Sequence, residues 1–372
     1  MLRKNYLSLL AASVLLAMAY AAIRLSVAGP AMLHGWNDFA PLRSGAELVG
    51  TPALYSFSAN QRAEQRASGA AMKITYFRPP FYALLLKPLM TLPYPVSYWI
   101  FQLAALSCLL WFARAWFSSP WEIIALAGVP LIEAFVNGQD VAFVLALAGL
   151  SLIFARRGQD VKSGLLLALC AIKFHLFLFV PIAVVARKRW GILAGAAAGL
   201  AALTVLSFAA QGFGWPLDYL RLLRRPDMHP AAFLSVGLHG IAGDNSVVLA
   251  ISTAVVIAAF AWTAARETSY EVLFGYAILT SLLIGYHVYT SDALLLLIPL
   301  GAVLRGGLKT LVVPALLFAA SSVPYACIFV PGPWHILAPL SLLGALVAAA
   351  LPESSLAWCW PPALSHRRNR VN

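Results

Sequence analysis

SGLLLALCAIKFHLFLFVPIAVVARKRW, residues 163–190, decides how this chain is built. A single membrane crossing here would leave Lys162 on one side and the Arg187, Lys188 and Arg189 cluster on the other. Basic residues beside apolar spans stay on the cytoplasmic side, so both ends belong there. Two short helices meeting at Lys173-Phe174-His175 satisfy that rule and lift the polar apex toward the outer half of the bilayer. Lys173 is then an ammonium inside an apolar hairpin. An intramembrane charge is costly enough to face a cavity or a partner; the other reading is a lysine snorkelling at a hairpin tip.

Working outward from that hairpin gives the rest of the topology. Upstream, an apolar run at about 140–155 ends at Arg156 and Arg157. It starts from an outer turn, Asn137-Gly138-Gln139, reached by a crossing at about 121–136. Another crossing, 95–113, ends inside at Arg114. The first span, Asn5 to Ile23, follows Arg3 and Lys4 and is long enough to cross a bilayer. AYAA resembles a cleavage site, but the apolar run exceeds a signal-peptide core, so an uncleaved anchor is expected. Residues 24–95 form a long outer segment. Within it PPFYALLLKPLMTLP, 79–93, is short and interrupted by Lys87 and Pro88, which suits a re-entrant or interfacial helix shielded by protein. Downstream come crossings at 191–211, 246–265, 269–286, 292–304, 310–330 and 334–351, with a second outer segment at 212–245. The tail SHRRNRVN ends inside. The expectation is an all-α polytopic membrane protein, one domain over residues 1–372, with about twelve crossings. Both termini are then cytoplasmic, in the plasma (inner) membrane.

Composition agrees. Of the 372 residues 61% are hydrophobic and only 11% charged, where a soluble domain carries about a quarter charged. The net charge of +12 does not indicate nucleic acid, because the basic residues fall in short clusters between apolar runs, as topology signals do. Cys108, Cys170, Cys327 and Cys359 are scattered, with no CxxC or Cys/His metal spacing. There is no Walker sequence and no GxGxxG opening a helix after a strand, which disfavours ATP or a nucleotide-sugar donor. The acids are dispersed without a DxD pair, so no cofactor and no divalent metal is expected.

Three strings carry a resemblance: NDFAPLRSGAELVGTPALY from Asn37, YFRPPFYALLLKPLMTLP from Tyr76, and the run from NGQDVAF at Asn137 to ARKRW at Trp190. In order and spacing they are similar to glycosyltransferase family 87, membrane enzymes of the GT-C fold that use polyprenyl-phosphate sugars. The shared features are an acid after the first span, Gly-x-Pro-x-x-Tyr, aromatic-x-x-Pro-Pro-Phe, an Asn-Gly-Gln turn, and Ile-Lys-x-His before a proline and a basic cluster. GYHVYTSDALLLLIPL, 285–300, matches more loosely. Phe174 departs from the pattern, which often has proline after the lysine. The resemblance implies transfer of a hexose, often mannose, from a polyprenyl-phosphate hexose to a lipid or glycan acceptor on the outer face.

Such a transfer needs a base for the acceptor hydroxyl, cations for the phosphate leaving group and a water-poor pocket. Asp38, just past the first span, is the expected catalytic base; its bland alternative is a helix N-cap. Lys173 and His175 at the hairpin apex, with Arg78 ahead of Pro79-Pro80, are the expected donor-phosphate ligands. The substrate pocket is expected from Tyr76, Asn137, Gln139, Arg224, Arg225, His287, Tyr289 and Asp292. Asn137 has an equally good turn role, and RLLRRPDMH, 221–229, also reads as a solvated amphipathic helix. Glu133 and Asp140 beside the turn suggest a secondary acidic site. Two other classes compete: a multi-span transporter or lipid flippase, and a structural subunit of an envelope complex. No internal duplication favours the transporter. A cavity holding both Asp38 and Lys173 discriminates in favour of the enzyme.

Overall fold

The computed structural model describes residues 2–70, 72, 74–225, 228, 231–306, 311–330 and 332–351. Lys73, Lys309, Cys359 and the tail SHRRNRVN, with the cytoplasmic C-terminus inferred from it, lie outside the described residues. Among the described residues all regular structure is helical.

Among the described residues five apolar helices are long enough to cross a bilayer: Asn5–Val27, Tyr94–Trp116, Trp190–Gln211, Ser246–Arg266 and Pro333–Ala350. Two broken pairs bring the total to seven if each counts as one span. This is fewer than the expected twelve or so, because several expected crossings fold as shorter pieces. The 121–136 run splits into Pro120–Leu126 and Gly128–Val136, and 292–304 begins as a 3-10 turn, Thr290–Leu296, before Leu297–Gly306. Val141–Arg156 and Tyr270–Ile284 are apolar but short.

The hairpin at 163–190 is present. Asp160–Phe177 and Val180–Ala186 are bent by 113°, and Lys173 leaves helical geometry at φ −126°, ψ 57°. The Trp190–Gln211 helix packs on its first arm through small residues. Gly191, Gly195 and Gly199 sit one turn apart, and a Cβ on Gly195 would lie 2.2 Å from the Val161 carbonyl. Across from them, a Cβ on Gly164 would lie 2.1 Å from the Ile192 carbonyl. Helices in lipid gain little from burying apolar surface against each other, so close backbone contact at small residues holds such a pair.

Tyr270–Ile284 is the central pillar, with Val272 through Leu283 all buried. Leu297–Gly306, Ser246–Arg266, Val180–Ala186 and Leu337–Ala350 pack around it. At one end its neighbours are clamped by polar contacts. Arg156 pairs with Glu271 at 2.5 Å, Arg189 with Asp160, and the Arg156 and Arg305 guanidinium groups both lie over the Trp116 ring. Arg187 donates to the Glu267 carbonyl.

Residues 24–78 are mostly helical rather than an irregular loop. The first helix runs on past Arg24 to Met32, because Arg24 is neutralised by Glu133 at 2.9 Å. Phe39–Leu48 and Phe57–Ser68 follow. Residues 39–46 are all buried, and Phe39 sits against Tyr94, Tyr98 and Phe101. The proline-led segment forms a seven-residue helix, Pro80–Leu86, and a 3-10 turn, Lys87–Thr91, too short together to cross. The second outer segment holds the short helices Trp215–Leu223 and His239–Ala242.

Candidate active site

The end opposite the Arg156 and Arg189 contacts holds a cavity of about 370 Å³, lined by polar groups from distant parts of the chain. Asp38, Arg78, Gln139, Lys173, His175 and Asp292 all reach it.

Asp38 opens the Phe39–Leu48 helix but does not cap it through its side chain. That role falls to Asn37, whose Oδ1 accepts from the Phe39 N–H at 2.9 Å and from the Tyr94 hydroxyl at 2.9 Å. The Asp38 backbone N–H donates to the Asn137 carbonyl at 2.8 Å. Its carboxylate is left to the cavity, where Oδ2 accepts from Gln139 Nε2. Burial pushes the Asp38 carboxyl up to about 6; Lys173 and Arg78 pull it down, Asp140 pushes it up, and the Gln139 hydrogen bond pulls it down.

Gln139 is aimed by the turn before it. Gly138 has φ +64°, a conformation only glycine adopts without strain. The Gln139 N–H closes the turn on the Ala134 carbonyl at 2.8 Å. A Cβ on Gly138 would lie 2.8 Å from Phe39 Cβ, so the turn packs directly on the residue next to Asp38.

Behind this turn is a buried network of ions. Asp140 takes Arg78 Nε at 3.1 Å and Nη2 at 3.4 Å, and its Oδ1 lies 3.2 Å from Lys173 Nζ. Lys173 also donates to Asp292 Oδ1 at 2.6 Å and to Gln139 Oε1 at 3.0 Å. Asp292 Oδ2 accepts from the Tyr289 N–H at 3.0 Å. Burial disfavours the Asp140 carboxylate, but Arg78 and Lys173 outweigh it and hold the carboxyl down at about 2. Burial likewise opposes the Arg78 charge, and Asp140 overcomes it, so the guanidinium is held more firmly protonated than usual.

A second network forms another part of the wall. Glu133 accepts from Tyr20, from Arg24 at 2.9 Å and from Asn137 Nδ2 at 2.8 Å, while Arg24 reaches Asn137 Oδ1 at 3.3 Å. Glu133 and Asp140 thus serve as counter-ions for different basic residues, Arg24 for the one and Arg78 and Lys173 for the other. This was hidden in the sequence because Arg24, Arg78 and Lys173 are all remote from the turn.

Other expected pocket residues divide. His287 and Tyr289 line the cavity, and Asn137 lines it while also serving the turn. Tyr76 is fully buried behind it: its hydroxyl donates to the Pro79 carbonyl at 2.7 Å, and its ring lies against Gly45. It shapes the Arg78-Pro79-Pro80 segment and does not line the main cavity. Arg224 and Arg225 are exposed and do not line it either; Arg225 lies over the Phe57 ring at 4.9 Å. The surface-helix reading fits that stretch, whose Arg221 pairs with Asp218 at 2.9 Å. Among the described residues no group of three or more His, Cys, Asp or Glu side chains is arranged to hold a metal ion.

An apolar groove, also about 370 Å³, runs beside the cavity between the Trp190–Gln211 helix, the Trp215–Leu223 helix and the hairpin. Pro79, Phe81, Phe174, Leu203 and Trp215 line it. Pro79 follows Arg78 and Phe174 follows Lys173, so the same two backbone segments wall the polar cavity and the apolar groove.

The sequence model of glycosyltransferase family 87 matches residues 76–295, which include every member of the buried ion network. No curated protein and no solved structure matches the chain.

Proposed function

The chain belongs to glycosyltransferase family 87, and on that premise we propose that it moves a hexose, mannose first, from a polyprenyl phosphate to a hydroxyl of a lipid or glycan acceptor. Membership of a transferase family removes the transporter, flippase and structural-subunit readings. On this reading the reaction runs at the outer face of the plasma membrane, with the Arg156 and Arg189 end toward the cytoplasm. A GT-C count of about twelve crossings then needs the shorter helices, such as Val141–Arg156 and Tyr270–Ile284, to count as crossings.

The observation that carries the donor class is the shared wall of cavity and groove. A polyprenyl phosphate has a long apolar chain and an anionic head. The groove suits the chain, and the adjoining cavity offers the head a buried guanidinium at Arg78, with His175 beside it. In the proposed step Asp38 takes the acceptor hydroxyl proton as the acceptor oxygen bonds to the anomeric carbon. The bond from that carbon to the phosphate oxygen breaks, and the electron pair leaves with the phosphate. Arg78 stabilises the growing charge, which is worth more in a dry site than in water. Attack opposite the phosphate inverts the anomeric carbon, so a β-linked donor gives an α-linked product. The charge is met by side chains, so the proposal includes no divalent metal.

The test is purified protein in lipid nanodiscs, given radiolabelled polyprenyl-phosphate mannose, glucose or galactose and a membrane lipid extract. A labelled product that depends on the protein and is lost in Asp38→Asn supports the reading. The absence of labelled product from every donor refutes the donor class, and normal turnover in Asp38→Asn removes the base.

A further inference from the structure

We propose that Gln139 is the positioning residue for Asp38, and that Lys173 acts on the reaction through Gln139 rather than by holding the donor phosphate. The inference rests on the reading of Asp38 as the base.

An ammonium such as that of Lys173 has three N–H donors and accepts nothing. Here three acceptors surround it: Asp292 Oδ1 at 2.6 Å, Gln139 Oε1 at 3.0 Å and Asp140 Oδ1 at 3.2 Å. To give an N–H to a phosphate, Lys173 would have to release one of two buried carboxylates or the amide. A buried carboxylate that loses its partner is strongly unfavourable. Two hydrogen bonds and an ion-pair contact therefore hold Lys173 within this network.

Gln139 stands between this donor-only group and a carboxylate that only accepts. Its amide has one orientation that satisfies both: the oxygen toward Lys173 and the nitrogen toward Asp38. The two neighbours fix that orientation, since Lys173 only donates and the ionised Asp38 carboxylate only accepts. The backbone on either side adds rigidity, because Gly138 and the Ala134 carbonyl hold the turn. Asp38 is thereby gripped at Oδ2 and by its own N–H on Asn137. The second carboxylate oxygen is presented to the acceptor. A hydrogen bond to the ionised form also favours that form, so Gln139 keeps the base ready at neutral pH. The charged groups acting on Asp38 from the neighbouring elements are Arg78, Asp140 and Lys173. His175, and from the 285–292 segment His287, Tyr289 and Asp292, share its cavity.

The test is Gln139→Leu, which removes the N–H, and Gln139→Glu, which keeps the length and the Lys173 contact but replaces the amide N–H with a second carboxylate. The first readout needs no substrate: the infrared carboxyl C=O band of purified protein, titrated with pH and assigned to Asp38 by its loss in Asp38→Asn. A hydrogen bond to a charged group is worth about one to two pH units, so the Asp38 midpoint should rise by about one unit in Gln139→Leu. It should rise at least as far in Gln139→Glu. The second readout is transfer with whichever polyprenyl-phosphate hexose is turned over: kcat falls about tenfold at neutral pH while KM for the donor stays within about twofold. An unmoved midpoint in either folded variant overturns the proposal. So does a raised donor KM with kcat intact, which is the signature of a phosphate ligand. Normal transfer in Asp38→Asn instead removes the base reading, and the infrared midpoint still decides whether Gln139 controls Asp38.

Discussion

Asp140→Asn isolates the value of the buried ion network. Asp140 is fully buried, and Arg78 beside it is nearly so. The substitution keeps the shape but removes the charge that both Arg78 and Lys173 face. Lys173 retains Asp292 at 2.6 Å, so its loss is partial. Arg78 has only Asp140 as an ion-pair partner among the described residues. Breaking one side of a buried pair costs about 3–5 kcal/mol, because the remaining charge stays desolvated. The asparagine oxygen still accepts one hydrogen bond, which puts the expectation near the lower end, about 3 kcal/mol. Thermal unfolding in detergent reads this as a large drop in Tm. The double variant Asp140→Asn/Arg78→Met removes both charges and should recover part of the loss, since neither ion is left stranded. The pH dependence has a definite sign. The Asp140 carboxyl is held down at about 2 from an ordinary 3.8. Its stabilisation is fully present above about 4 and disappears as pH falls through about 2. The gap between wild type and Asp140→Asn should therefore stay constant from pH 5 to 8 and narrow only in strong acid. A single variant that melts with the wild type, or a double variant worse than the sum of its parts, would refute the network as a source of stability.

Three further outcomes are expected. With the Asp38 carboxyl pushed up to about 6, the base is protonated below that pH. kcat/KM should fall about tenfold per unit there, and a rate flat down to pH 5 would show that ionisation of Asp38 does not limit the reaction. Gly138→Ala forces a side chain into φ +64° and to within 2.8 Å of Phe39. The backbone term is about 1–2 kcal/mol and overpacking adds about 1–3 kcal/mol, so Tm and transfer should both drop. Gly158→Ala, at φ +71° but in open space, should lose only the backbone term; equal losses at the two glycines would remove the packing argument. Finally, cysteines placed at Ser58 and Trp190 in a chain lacking its native ones should label from opposite sides of the membrane, and labelling from one side would break the topology.

The long helices were legible because apolar length is a local property. Runs expected at 95–113, 191–211 and 246–265 fold as Tyr94–Trp116, Trp190–Gln211 and Ser246–Arg266. The break at Lys173 was legible too, through the basic clusters at both ends of one apolar stretch. Hydropathy does not reveal where Ala127 divides one apolar run into two helices. Arg24 looked like the end of the first span because its counter-ion, Glu133, lies 109 residues away. Asp140 was underrated for the same reason: Arg78 is 62 residues distant, and nothing near Asp140 announces the pairing. Asn37 and Asp38 are both capping residues at adjacent positions. Only the packing of Tyr94 onto Asn37 assigns the cap to one and frees the other. Arg224 and Arg225 misled because a basic outer stretch looks the same whether it faces a pocket or water.

The buried ion network also has an order in time. Its members are made from the N-terminus onward as Arg78, Asp140, Lys173 and Asp292. Asp140, the anion of Arg78, lies 62 residues further along the chain, and Lys173 follows Asp140 and Gln139. Asp292, the closest partner of Lys173, arrives only after the central Tyr270–Ile284 helix has been made. A chain that ends before the central helix contains one of the two carboxylates that face Lys173 and lacks Ser281, whose hydroxyl accepts from the Phe179 N–H at 3.1 Å in the finished protein. The cavity end thus receives one of its last carboxylates from Asp292, and a chain stalled before it differs from a finished one in charge as well as in length.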